Sequence, residues 1–376
     1  MNILINAVSA RLGGGQTYVC RLLENLPTEF EGKIYVLAPD SLKLPDPENV
    51  VVRLPVPSLV IRNPFFRVFW EKVFVKRQIN NLKIDVLFCP GGLLSTRCPP
   101  SCKQVVTFQN MLPFDNDQII KYGIGYSRLR NMILRRQLMK SMQQADLVIF
   151  ISRYAQEYIV EKSLKKIRKF VVIPHGVDSR FYRCEKTRLT LPEWFRTNNY
   201  LLYVSALDVY KSQCEVVRAY KLLKDSTGSL PNLILIGHHF PHYTKQVRNL
   251  VDNLGLSNEI IMYEHIEYTQ LPAIYQNAQI NLFMSQTENC PFILLEAMAS
   301  GTPLVASNMG PMPEFGGDAV LYCNPMDPQD IASKIAIFLN NETMRMDYAE
   351  KALSHSGRFQ WKTSASDTWH SMMSLN

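Results

Sequence analysis

Short apolar runs recur along the whole chain, separated by stretches in which apolar residues return at helical spacing. In the first half, Met1–Asn6, Lys33–Ala38, Val50–Leu54, Ile84–Cys89, Gln104–Phe108 and Asp146–Ser152 read as buried strands. In the second half, Tyr200–Ser205, Asn232–Gly237, Glu259–Tyr263, Ile280–Met284 and Leu304–Ala306 read the same way. Helical patterns lie between them: Tyr18–Leu26, one from Tyr154, Thr269–Asn277, Phe292–Ser300, Asp327–Leu339 and Trp361–Met373. Asp327 followed by Pro328 is a strong helix start, with a capping carboxylate and a proline whose missing N–H costs nothing there. Strand and helix in alternation give an α/β chain, whose ligands gather at the carboxyl ends of strands.

One helix breaks its own pattern. After the Ile280–Met284 strand, Pro291 suits the first position of a helix over Phe292–Ser300, Gly301 suits its exit, and Pro303 stops it. This helix is apolar nearly all round, so it is buried, yet it carries Glu296. A buried carboxylate needs partners. They are either a nearby Lys or Arg, as in an ordinary core helix, or the hydroxyls of a ligand. Glu288 lies ahead of the same helix, about 7 Å away along its axis at ~1.5 Å per residue. Between the two carboxylates is a helix start, whose N–H groups favour phosphate.

Composition narrows the classes. The 376 residues suffice for two domains, and 47% hydrophobic with 20% charged residues describes a folded protein. No apolar stretch of about twenty residues predicts a membrane span. The start of the chain lacks a basic segment and a cleavage pattern, so no signal peptide is expected. The eight cysteines are scattered. Cys98 and Cys102 have the wrong spacing for a zinc knuckle, so reduced thiols, a cytoplasmic setting and no metal site are expected. The net charge of +8 fits an anionic partner. No nucleic-acid-binding motif is present.

The Ser285–Ser307 run, with Glu288 and Glu296 spaced Glu-x7-Glu, resembles the family-4 retaining glycosyltransferases (glycosyl transferases group 1). The resemblance implies the GT-B fold, two facing Rossmann-like doubly wound domains with a cleft between them. It implies an acceptor-side domain over 1–178, a linker over 179–198, a nucleotide-sugar domain over 199–355, and a C-terminal helix over 356–376 that crosses back to the first domain. It implies transfer of a sugar from a nucleotide-diphosphate donor, a co-substrate, with no cofactor and no metal. Glu296 would hold the ribose, and Glu288 would position the donor sugar and stabilise its oxocarbenium-like charge. Lys211 matches the lysine of the family's Gly-Arg-Leu-Asp-x-x-Lys loop, which clamps the diphosphate. Ser205 stands for its Gly and Ala206 for its Arg, leaving open which cation substitutes. Asn289, Cys290 and the N–H groups of Phe292 and Ile293 fall in the family's phosphate-binding turn. Gly237 and Ile266 fall at the donor-binding strand ends. Gly14 and Gly15 match a loop facing the donor phosphates, with Gln16 and Asn110 on the acceptor side, although a glycine loop is equally a plain tight turn. Gln109 stands where the family has His; it can hydrogen-bond a sugar hydroxyl but cannot titrate. In the scheme the cleft closes to bring it to the sugar. His175, in the Asn place of the family's Pro-Asn-Gly-Val-Asp linker, reads as structural.

Two stretches, 64–77 and 121–140, are basic and apolar together, and the second has no acidic residue. Each is either a helix on the sheet with a solvated basic face or a surface for an anionic membrane. The latter suits a lipid-linked or surface-polysaccharide acceptor and a peripheral place on the inner face of the cytoplasmic membrane. The loss of His and Arg at Gln109 and Ala206 also leaves open a non-catalytic nucleotide-sugar-binding relative. A GT-B epimerase or phosphorylase is a further alternative, though no acid/base pair for epimerisation is evident.

Overall fold

The computed structural model describes the chain except residues 11–13, 47–48, 164–165, 183–194, 196–198 and 376, and the side chains of 64 and 65. Most of the linker expected over 179–198, the glycine at 13 and part of the basic run at 162–169 therefore lie outside the described residues.

Two compact units are present. The first comprises Met1–Phe114, Leu129–Gly176 and Gln360–Asn376; the second comprises Asp115–Arg128 and Val177–Phe359. The first is built on β1 (Asn2–Asn6), β2 (Lys33–Leu37), β3 (Val51–Leu54), β4 (Val86–Cys89), β5 (Lys103–Phe108), β6 (Leu147–Phe150) and β7 (Phe170–Val172). They form one sheet in the order β3-β2-β1-β4-β5-β6-β7, every pairing parallel. The second holds β8 (Tyr200–Val204), β9 (Asn232–Ile236), β10 (Ile260–Tyr263), β11 (Ile280–Phe283), β12 (Leu304–Ser307) and β13 (Leu321–Cys323). Its order is β10-β9-β8-β11-β12-β13, again parallel throughout. Each sheet reverses strand order once, between β1 and β4 and between β8 and β11. At such a switch point the flanking loops splay apart and leave a crevice at the carboxyl edge.

The central strands are apolar on both faces because helices cover both. β4, β6, β8, β11 and β12 are buried along their whole length. Capping fixes several helix starts: the side chain of Ser152 accepts from Ala155 N at 3.1 Å and that of Asp115 from Gln118 N at 3.1 Å. The Trp361–Met373 helix belongs to the first unit, where the buried Trp369 donates its indole N–H to the Leu22 carbonyl at 2.9 Å. Gly176 is needed for this packing, since a Cβ there would lie 2.1 Å from Trp361 N. His175 is buried against the rings of Tyr18 and Trp361, a structural position.

The 64–77 stretch is not one regular helix. An α-helix over Pro64–Trp70 passes into a π-helical turn over Glu71–Val75 and back to α-helix from Lys76. The 121–140 stretch is also divided: Lys121 ends the short Asn116–Lys121 helix, and a second helix runs from Tyr126 to Gln144.

Candidate functional site

The loop after β8 and the loop after β11 meet at the switch point of the second sheet. In the first loop, Asp208 caps a single 3-10 turn over Val209–Lys211, and Ser212 follows in a left-handed conformation (φ 54°). The backbone reversal buries Lys211, whose carbonyl accepts from the Tyr203 hydroxyl at 2.6 Å. Its ammonium lies 4.8 Å from the Tyr210 ring centroid and 5.3 Å from that of Phe283, and it pairs with Glu288 Oε1. An ammonium out of water requires such a carboxylate.

Glu288 sits in the second loop, three residues before Pro291. Pro291 is the N-cap of the helix, which spans Phe292–Ala299; it was expected one position further in. The Phe292 N–H, expected to face phosphate, donates instead to the Cys290 carbonyl at 3.1 Å, because Pro291, at φ −81° and ψ 88°, folds the chain into a tight three-residue turn. The Ile293 N–H, also expected to face phosphate, makes no hydrogen bond among the described residues. Asn289 and Cys290 are both buried. Gly301 leaves the helix at φ 66°.

Glu296 is buried on this helix, as its apolar surroundings imply. Burial pushes its pKa up to about 8, against the opposing bond from Tyr268, whose hydroxyl donates to Oε1 at 3.0 Å. The Arg180 guanidinium stacks on the Tyr268 ring at 5.0 Å and is held by Asp178 through bonds of 3.1 and 2.8 Å. The partner of Glu296 is therefore a tyrosine fixed by an Arg–Asp pair, and no Lys or Arg bonds it directly among the described residues. Sequence reading missed Tyr268 and Arg180; the one available signal was Asp178 closing the His-Gly-Val-Asp segment two positions before an arginine.

The remaining expected donor residues border these loops. Ser205 follows β8, and its buried Oγ has no partner among the described residues. Gly237 follows β9 at φ 151°, where a Cβ would lie 2.2 Å from the Ser205 carbonyl, so close approach of two backbones requires the glycine. Ile266, half-buried, lies just beyond β10. Sequence reading also missed Gln286. Its side chain accepts from Gln118 Nε2 at 3.1 Å and from Lys121, and donates to Ser212 Oγ at 2.7 Å.

The first unit places its candidates at its own carboxyl edge. Gly14, Gly15 and Gln16 occupy the first turn of the Gly14–Glu24 helix, one turn earlier than the expected helix start. A Cβ at Gly15 would meet only ordinary contact with Ala10 at 3.7 Å, so protein packing alone does not demand glycine there. Gln109 follows β5, and its buried Nε2 has no partner among the described residues. Asn110 is occupied locally, its Oδ1 accepting from Leu112 N at 3.2 Å in an Asx turn. Among the described residues no group of three or more His, Cys, Asp or Glu could hold a metal ion.

Residues 192–355 match the family model "Glycosyl transferases group 1", and residues 12–181 match "Glycosyltransferase Family 4". The serotype-specific mannosyltransferase WbdA of Escherichia coli is 23% identical over 268 residues, a match covering 70% of this chain and 32% of WbdA, so the chain spans only about a third of that relative. Solved structures share the fold over the whole chain. Sucrose-phosphate synthase from Thermosynechococcus elongatus has a TM-score of 0.76 at 18% identity, covering 100% of this chain and 99% of that one. Anabaena HepE, solved in complex with UDP-glucose, has a TM-score of 0.72 at 16% identity and full coverage of both chains.

Proposed function

Because the chain belongs to the family-4, group 1 glycosyltransferases and has their GT-B fold, we propose that it moves a sugar from a nucleoside-diphosphate donor to a hydroxyl acceptor, with retention at the anomeric carbon. The observation that carries this reading is that Glu288 and Glu296 bracket the start of one helix at the switch point of the second sheet, with Lys211 paired to Glu288. Glu296 takes the ribose hydroxyls. The Ile293 N–H and Lys211 face the diphosphate, and Glu288 lies beside the sugar. The bond from the anomeric carbon to the diphosphate oxygen breaks while the acceptor oxygen bonds the same carbon, and the acceptor proton leaves with the diphosphate. Positive charge developing on the sugar is stabilised by the Glu288 carboxylate, and negative charge on the leaving group by a fixed N–H and an ammonium. This scheme uses no divalent cation.

Two features support an acceptor held at an anionic membrane, as for a lipid-linked glycan. The Tyr126–Gln144 helix and the turn before it leave Ile124 98% and Tyr126 76% exposed, with Leu129, Met132 and Ile133 also exposed. Arg128, Arg130, Arg135, Arg136 and Lys140 accompany them with no acidic residue over 121–140. Exposed large apolar side chains among cations are the composition of an interfacial surface. No helix among the described residues is long and apolar enough to cross a membrane.

The test is a thermal-shift screen against UDP, GDP, ADP, dTDP and their common sugars with EDTA present, followed by NMR of the anomeric configuration of any product. Ligand at ~100 times its dissociation constant stabilises by about 2.7 kcal/mol, a visible shift. One nucleotide standing out under EDTA, with a retained anomer in the product, supports the reading. Binding without transfer to any acceptor favours the non-catalytic relative that Gln109 and Ala206 suggest. No shift from any nucleotide overturns both.

A further inference from the structure

The diphosphate site just described is short of positive charge. Its one lysine, Lys211, is already matched by Glu288, and Asp208 adds a further carboxylate to the same loop. A diphosphate brings at least two negative charges, and the neutral N–H groups of a helix start do not cancel them.

The structure brings a second ammonium to the same two loops. The Asp115–Arg128 segment belongs to the second unit, although it is flanked in sequence by parts of the first. It is fastened at two points. The Tyr122 hydroxyl donates to both oxygens of Asp208, at 3.1 and 3.0 Å, and the Gln118 amide donates to Gln286. Between these anchors Lys121 donates to the same Gln286 oxygen. Gln286 lies two residues before Glu288 on the loop after β11, and its own amide reaches Ser212, the residue after Lys211, on the loop after β8. Lys121 is thus held where the two switch-point loops are tied together. Its partner is a neutral amide. The carboxylates of Glu215, Asp115 and Asp117 act on it only through space, and none forms an ion pair with it among the described residues. Partial burial lowers its pKa, the mark of an ammonium whose lost hydration has not been replaced by a counter-charge.

We infer that Lys121 is the second cation of the donor diphosphate site, held by Gln286 until it turns onto the phosphates of a bound nucleotide. This deepens the transferase reading and rests on it. It also supplies a replacement for the arginine absent at Ala206. The lysine has length and freedom for the exchange, because an ammonium on a four-carbon stem turns between acceptors without a fixed fork.

The experiment compares wild type, Lys121→Gln and Lys121→Arg by calorimetry. The ligands are inorganic pyrophosphate and the nucleoside diphosphate selected by the screen, with its monophosphate and free nucleoside. Lys121→Gln is expected to weaken the diphosphate by about tenfold or more, the range for a lost hydrogen bond to a charged group. The monophosphate should weaken less, the nucleoside should be unchanged, and Lys121→Arg should restore most of the diphosphate affinity. Ligand-free melting of each variant reports folding. Wild-type diphosphate affinity in Lys121→Gln overturns the assignment. So does an equal loss for nucleoside and diphosphate, because Lys121 then only positions Gln286. If wild type itself binds no nucleoside diphosphate, the transferase reading fails first and takes this one with it.

Discussion

Tyr268 donates its hydroxyl to Glu296 Oε1 at 3.0 Å, and that carboxyl has been pushed by burial up to about 8. In the ligand-free protein near neutral pH, Glu296 therefore carries a proton. A ribose presenting two hydroxyls is held best by the ionised form, which only accepts. Nucleotide binding below pH 8 should then release a proton, and affinity should rise with pH until about 8, by at most about tenfold per pH unit. Calorimetry in buffers of different ionisation enthalpy measures the proton directly. Glu296→Gln should abolish both the release and the pH dependence while costing most of the nucleotide affinity. A pH-independent affinity in wild type would show that Glu296 binds ribose protonated or not at all.

Stability should carry the opposite signs of two buried groups. Glu296 has a folded pKa of about 8 against an ordinary 4.5, so its contribution is fully present below 4.5 and is lost as pH rises towards 8. His175 is pushed by burial from 6.5 down to about 3, so the unfolded chain takes up a proton that the folded one refuses, and stability falls as pH drops from 6.5 towards 3. Each slope is bounded by about 1.4 kcal/mol per pH unit. Between 4.5 and 6.5 they cancel. Denaturant melts of Glu296→Gln should expose the His175 slope there, and His175→Phe should expose the Glu296 slope. Identical profiles for wild type and both variants would contradict the burial assigned to these groups.

The pairing of Lys211 with Glu288 separates structural from catalytic roles. Glu288→Ala leaves a buried ammonium without its carboxylate, which costs up to about 3–5 kcal/mol. The cost should sit at or below the lower end, because the Glu288 side chain remains 19% exposed. Replacing both residues by Met removes the charge problem and should recover most of the melting temperature. Transfer should be lost in the single and the double variant alike. Recovery of turnover along with stability in the double variant would mean that the pair only holds the loops.

Most strands and the helix bearing Glu296 were legible because each is a local pattern; β7 and β13, three residues each, are too short to make one. Apolar runs mark strands covered on both faces, and a lone carboxylate on an otherwise apolar helix marks a buried charge that needs a partner. Helix ends moved where turn chemistry decides, as at Gly14 and Pro291. The partners of the site residues were not legible, because they are set by tertiary approach. Tyr268 lies 28 residues from Glu296, and Gln118 lies 168 from Gln286. No periodicity signals that Asp115–Arg128 belongs with the second unit. Its anchors, Tyr122 and Gln118, look in sequence like ordinary residues of a basic surface stretch.

That stretch yields the last prediction. Ile124, Tyr126, Leu129, Met132 and Ile133 lie exposed beside arginines, and a folded protein in water gains nothing from leaving them so. If they enter an anionic interface, binding has an apolar part and an electrostatic part with different responses. Vesicles containing phosphatidylglycerol should retain the protein in sedimentation, and vesicles of phosphatidylcholine alone should not. Arg135→Gln with Arg136→Gln should weaken retention mainly at low salt, by roughly 1 kcal/mol per charge. Ile124→Glu with Leu129→Glu should abolish it at any salt, because two carboxylates would enter the apolar layer. Transfer to a water-soluble acceptor should be unaffected by either change, and transfer to a lipid-linked one should fall with retention. Equal retention on neutral and anionic vesicles would leave these cations without a membrane role.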